Sequence, residues 1–282
     1  MVSATKKYQG FTLIEMITVI VLLGIIAGIL TPFISSALQA YVATKARANL
    51  VAKGRLAIER IVREVRHAIP NSLSVVASGN GIEFVRSRAG GRYVEQFDDF
   101  GAEFSKNNYR FRTNANRSNL YIVGDAGLSA SAGDELVIGN FSPATLQAGT
   151  SHASLTGIIN TAVAADDTIN GQILQYTSHQ FLTASPGKHF SIADRTVEIG
   201  RLAADSTWRW HSVAGISGYD SGEDWSSSDP ILVDGVNGST SFSYVSGSPQ
   251  APAVLRIDLQ VDDTGSSESI RLYQEVVLRN TP

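Results

Sequence analysis

Between Phe11 and Ile34 the chain carries a single charged residue, Glu15, in an otherwise apolar run. These 24 residues would reach about 36 Å as a helix, enough to cross a hydrocarbon core of ~30 Å. A secretory h-region is shorter, about 7–15 residues, and ends at a small-residue cleavage site. Here the run continues into TPFISSALQAYVATKARANL, which still reads as helix, so the segment is expected to stay on the protein as an anchor. Lys6 and Lys7 precede it and favour a cytoplasmic N-terminus, although Lys45 and Arg47 lie beyond its other end. Glu15 is the anomaly. A carboxylate in hydrocarbon is costly and persists where it has a partner.

The string Gly10-Phe11-Thr12-Leu13-Ile14-Glu15 follows a short basic leader and opens the apolar run. It resembles the class III prepilin signal of type IV pilins and type II secretion pseudopilins. The resemblance implies that prepilin peptidase cuts between Gly10 and Phe11 and that Phe11 is then N-methylated. It also implies as partners other pilin subunits, through their N-terminal helices, and an inner-membrane assembly platform. Cleavage would leave a positive amino group at the positive end of a helix dipole. Glu15 of a neighbouring subunit could pair with it and set register; alternatively Glu15 caps its own helix or reaches back to the interface. Pro32 lacks an N–H and is expected to free the Gly28 carbonyl and kink or loosen the helix. It would be residue 22 of the mature chain, where many type IV pilins also have a proline. Gly24 and Gly28 would permit close helix approach.

From Ser35 to Ile69 the pattern is amphipathic, with Leu50, Ile58, Ile61, Val62, Val65 and Ile69 on one stripe. Arg60 with Glu64 makes a helical i, i+4 pair, and Pro70 is expected to end the helix. Beyond it the period changes to two. Strands are expected at 82–85, 93–97, 109–112, 120–123, 135–138, 189–192, 196–199 and 208–210. The clearest signal is an antiparallel hairpin formed by 255–261 and 270–278. Ser/Gly-rich stretches at 126–134, 142–165 and 215–229 read as loops, and a break near 150–170 could separate two lobes. The expected fold class is α+β: a leader (1–10), a transmembrane assembly helix (11–34), an amphipathic stem helix (35–69) and a large antiparallel β-rich extracytoplasmic head (70–282).

The net charge of −3 hides an asymmetry. Residues 1–69 carry nine Lys+Arg against three acids, and the remainder 14 against 23. The basic part follows a membrane segment, which argues against nucleic acid as a partner. With no cysteine, a disulfide framework is impossible. Five scattered histidines offer no zinc pattern, no Gly-x-Ser-x-Gly elbow occurs, and no cofactor or enzymatic activity is expected. Two weaker candidates remain. Asp220, Glu223, Asp224 and Asp229 form an oxygen-rich loop of the kind calcium takes, though not with EF-hand spacing. Trp208, Trp210, Trp225 and Tyr219 would line a glycan surface, or simply a core.

The stem VAKGRLAIERIVREVRHAIPNSLSV, the segment FLTASPGKHFSIAD and the ending RLYQEVVLRNTP resemble the large minor pilins of mannose-sensitive haemagglutinin pilus systems. The function this implies is a minor pilin that primes or caps a surface pilus used for attachment. Its place would be the bacterial inner membrane, with the head periplasmic, and then the pilus. The alternatives are the large minor pseudopilin of a type II secretion system and a membrane-anchored calcium- or glycan-binding ectodomain.

Overall fold

The structure, a computed structural model, describes residues 10–95, 109–123, 129–159, 171–247 and 251–278. The fold is α+β: one long N-terminal helix, then strands. The chain divides into two compact units, residues 1–49 and 50–282, and helix α1, Leu13–Val65, contributes to both. In the second unit α1 buries Leu50, Gly54, Ala57, Ile58, Ile61 and Val65. Steps of three and four put them on one face. The helix stops four residues short of Ile69. The amides of His67 and Ala68 turn to the carbonyls of Glu64 and Val65, tightening the last turn. Ala68 then bridges Arg86, and the Ile69 amide donates to the Val85 carbonyl at 2.8 Å. Sheet pairing thus captures the chain before Pro70 can end the helix. Arg60 lies over the Trp210 ring, 5.2 Å from its centroid, and Glu64 faces Arg86 at 3.9 Å. These contacts stand in place of the expected Arg60–Glu64 pair.

The strands are β1 (Ser74–Val76), β2 (Gly81–Tyr93), β3 (Arg117–Val123), β4 (Glu135–Val137), β5 (His152–Ile159), β6 (Gly171–His179), β7 (His189–Leu202), β8 (Thr207–Ala214), β9 (Ile231–Val233), β10 (Ser241–Val245), β11 (Ala253–Asp262) and β12 (Ser269–Leu278), with a short helix α2 (Pro143–Gln147) between β4 and β5. Nine strands run in the order β1-β2-β3-β6-β5-β4-β7-β8-β9, and β2 also pairs with β7. That extra pairing closes β2, β3, β6, β5, β4 and β7 into a barrel, which removes their open edges. All described pairings are antiparallel.

The long β2–β7 ribbon serves two cores. Its Tyr93, Phe190 and Ile192 fill the barrel with Leu120, Leu136 and Leu174. Its Ile82, Phe84, Val197 and Ile199 join a second core with the stem residues Ile58, Ile61 and Val65 and with Leu255, Ile257, Leu259 and Val261 of β11. Each fully buried Ile or Leu there is worth about 1.5–3 kcal/mol. The expected C-terminal hairpin is present, with Val261 opposite Ile270 and Leu259 opposite Leu272.

Several expectations need correction. The segments 189–192 and 196–199 are one 14-residue strand, β7, whose register jogs opposite 86–89 rather than breaking. Tyr109–Arg112 is not a strand; the Phe111 amide donates to Val94 and the Tyr109 carbonyl accepts from Tyr121, but no ladder forms. The stretch 142–165 is no single loop, since α2 and β5 occupy much of it. Ile159 lies opposite Ile173 in the β5–β6 pair, so the expected lobe break falls inside one sheet. Expected strand residues Gln96 and Phe97, part of the 126–134 loop, and residues 160–170 of the expected loop and lobe break lie outside the described residues.

Candidate functional site

At the N-terminus the sequence Thr12-Leu13-Ile14-Glu15 forms a capping box. The Glu15 carboxylate, through Oε2, accepts the Thr12 amide at 2.9 Å and the Thr12 hydroxyl at 3.0 Å. The Glu15 amide donates back to Thr12 Oγ1 at 3.4 Å. Glu15 therefore satisfies its own helix end. Only Oε2 is engaged; Oε1 has no partner among the described residues. Gly10 and Phe11 precede the helix and are exposed, Phe11 to 80%. Large apolar side chains from Phe11 to Ile34 are exposed too, on a helix long and apolar enough to cross a membrane. A Cβ added at Gly24 or Gly28 would meet nothing within 4 Å. Pro32 lies inside α1, which continues through it without interruption.

The acidic loop is organised differently from a cation site. It straps the face of the β2–β7 ribbon that looks away from the stem. Three cross-strand pairs occupy that face in turn: Gly81 opposite Gly200, Glu83 opposite Glu198, and Val85 opposite Thr196. Trp225 lies on the glycine pair; a Cβ at Gly200 would fall 2.2 Å from its ring and one at Gly81 2.5 Å. Glu83 accepts the backbone amides of Asp220 and Ser221, each at 3.0 Å, and Glu198 Oε2 accepts that of Asp224 at 2.9 Å. Both glutamates are buried, and Glu198 Oε1 has no partner. Burial pushes the Glu83 carboxyl up to about 7, the two amide bonds opposing and the charges of Glu198 and Asp220 adding. Glu198 is raised by the same first cause. Tyr219 anchors the strap by donating to the Ser72 carbonyl.

The four expected calcium ligands do not converge. Asp220 caps the Gly222 amide at 2.7 Å. Asp229 binds His211 at 3.0 Å and the Ser226 amide at 2.6 Å. Burial alone would raise Asp229, yet these bonds hold its carboxyl below the usual range. Glu223 and Asp224 point their charge to solvent. Among the described residues no group of three or more His, Cys, Asp or Glu could hold a metal ion. The aromatic surface is likewise absent as such: Trp208, Trp225 and Tyr219 are buried, and Trp208 stacks on Phe242 at 4.9 Å. Glu135 accepts from Ser154 at 2.6 Å and meets His152 at 3.1 Å, but no bond joins that serine to that histidine, so they make no nucleophile–base pair.

Glu83 and Glu198 were invisible as a pair in the sequence, where each is an ordinary polar residue of an alternating strand. The nearest signal was Gly81 and Gly200, each two residues from its glutamate, one before and one after. Glycine within a strand marks close approach of another group.

Comparison with known proteins bears on the N-terminus. No curated protein and no solved structure matches the chain. Residues 5–31 match the family model of the prokaryotic N-terminal methylation motif, which supports a type IV pilin-like or pseudopilin-like prepilin and implies processing by prepilin peptidase.

Proposed function

We propose that this chain is a minor pilin, a non-enzymatic subunit that primes or caps a surface pilus. The observation that carries the reading is the methylation motif placed at the head of an exposed apolar helix. In this reading residues 1–10 are a leader, cleavage follows Gly10, and the new Phe11 amine is methylated. Residues 11–34 anchor the chain in the inner membrane until assembly, the stem runs to Val65, and the remainder is the periplasmic head. Glu15 serves two bonds at once. Oε2 holds the Thr12 cap, and Oε1 takes the amine of the neighbouring subunit, so the carboxylate need not abandon its helix to set register.

The large minor pseudopilin of a secretion system shares this motif and is supported by the same observation. An independent glycan-binding head gains no support from the buried tryptophans.

Mass spectrometry of the membrane-extracted protein tests the reading. A mature chain beginning at N-methylated Phe11 is expected, with Gly10→Ala retaining the leader and Glu15→Val abolishing incorporation into filaments. A mature protein that still begins at Met1, or normal piliation with Glu15→Val, would sink it. Loss of secretion rather than of pili on deletion would favour the pseudopilin.

A further inference from the structure

A cleft of about 810 Å³ opens where the stem's end, the β2–β7 ribbon and the last strands of the chain meet. Its walls are sorted by chemistry. Arg66 and His67 follow the end of α1, Arg88 and Arg92 come from β2, and His189 from β7. Among the described residues no Asp or Glu lines it. The apolar part is supplied by Tyr244 of β10 and by Val277 and Leu278 of β12.

The local structure explains how five basic side chains come to share one space. Ser87 lies opposite Ala193 and Ala89 opposite Ile192, which leaves Arg88 as the extra residue of a bulge. Bulges re-aim side chains in this way. Past the bulge the register places Arg92 directly opposite His189. Arg88 is partly satisfied by Asp134 at 3.4 Å and Ser129 at 3.3 Å. Arg66 and Arg92 are exposed, and their side chains have no ion-pair or hydrogen-bond partner among the described residues. Elsewhere on this unit the exposed arginines Arg256 and Arg271 are matched with Glu275 and Asp258. Arg55 and Arg63 of α1 are also exposed without a side-chain partner among the described residues, but they lie outside the cleft; Arg66 and Arg92 set unmatched cations in a concave site with an apolar wall, within a head whose overall balance is acidic.

We infer that this cleft binds an acidic peptide segment of a partner protein, with carboxylates on Arg66 and Arg92 and apolar side chains against Tyr244, Val277 and Leu278. Guanidinium forks match carboxylates in a bidentate geometry. The apolar end favours a peptide over a free inorganic anion or a uniformly polar polyanion, neither of which would use it. The inference does not depend on whether Gly10 is cut.

The test uses the full chain in detergent micelles and a fluorescein-labelled eight-residue peptide carrying alternating Glu and Leu, read by anisotropy. Binding is expected, weakening at least tenfold in the Arg66→Gln/Arg92→Gln double variant and again between low and high salt. A Gln/Leu peptide should bind at least tenfold more weakly than the Glu/Leu one. Both arginines are exposed and their side chains are unpaired among the described residues, so circular dichroism should show the variant folded. Val277→Asp should weaken the peptide without touching the arginines. Absence of binding, or equal binding by the double variant, would overturn the inference. So would a heparin oligosaccharide that binds more tightly than the peptide and shares its dependence on the two arginines.

Discussion

Replacing Glu83 with Gln should remove most of the pH dependence of stability in the strapped part of the head. Glu83 is fully buried and stands opposite buried Glu198, with only backbone amides and hydroxyls to satisfy it. Its carboxyl is raised from 4.5 to about 7 by burial first. In the unfolded chain it ionises near its ordinary value, so between those two values the folded state holds the proton more tightly. Folding is then favoured at the acid end, and stability falls as pH rises from about 4.5 to about 7. At ~1.4 kcal/mol per pH unit the loss approaches 3 kcal/mol. Glu198, also raised, adds in the same direction. Carboxyls held below their ordinary range, among them Asp194, Asp229, Asp234 and Asp258, have the opposite sign but lose their contribution only as pH falls below about 4. Gln keeps the size and one acceptor but cannot titrate, and it leaves one strap amide without a partner, at about 1–3 kcal/mol. The variant should be weaker than the natural protein at pH 4.5, close to it or stronger at pH 8, and much flatter between, keeping only the slope that Glu198 supplies. Urea unfolding of the full chain in micelles, followed by tryptophan fluorescence at pH 4.5, 6 and 8, measures this, because Trp225 reports on the strap directly. A natural protein whose midpoint rises through that range, or a Gln variant that keeps the natural slope, would refute the reasoning.

Gly200→Ala should drive the Trp225 ring off its seat, since the new methyl falls 2.2 Å from ring carbons. A loss of about 1–3 kcal/mol with red-shifted emission is expected in the same assay. Arg86→Gln should cost about 3 kcal/mol, because it leaves Asp194, whose side chain is 9% exposed, without its bidentate partner. Arg86 spans Asp194 and Glu64 and holds the Asp194 carboxyl below its ordinary range, so thermal melts should show the full loss near pH 7 and a shrinking difference as pH falls below about 4.

The parts of this molecule that can be read from sequence are those where one periodicity meets one environment. The apolar run from Phe11, the stem stripe from Leu50 to Val65, and the hairpin of β11 and β12 with a single buried face all qualify. Strands β5 and β6 fail that test. In β5 the ladder residues include His152, Ser154 and Gly157, and burial is confined to Ala153 and Leu155, so its polar composition reads as loop. Closure of the barrel rests on the pairing of Gly90 and Gly91 with Ser191 and Phe190, about a hundred residues away, which no local pattern encodes. The same holds for the strap. Its four acids suggested a cation, but its fixed points are backbone amides held by two glutamates from distant strands.

The second core has a consequence for the order of events in making the protein. Its earliest members, Leu50 to Val65, wait on its latest, Leu255 to Val276. Contacts separated by some two hundred residues close slowly, because the loop entropy is met before any contact rewards it. If the chain emerges N-terminus first, the core around the stem's apolar stripe stays incomplete until the final hairpin arrives. A chain released before Ser269 would lack β12 and leave β11 as an open edge beside that stripe. Completion of the head is thus checked by its last ten-residue strand, and truncated products would expose a greasy face that invites proteolysis.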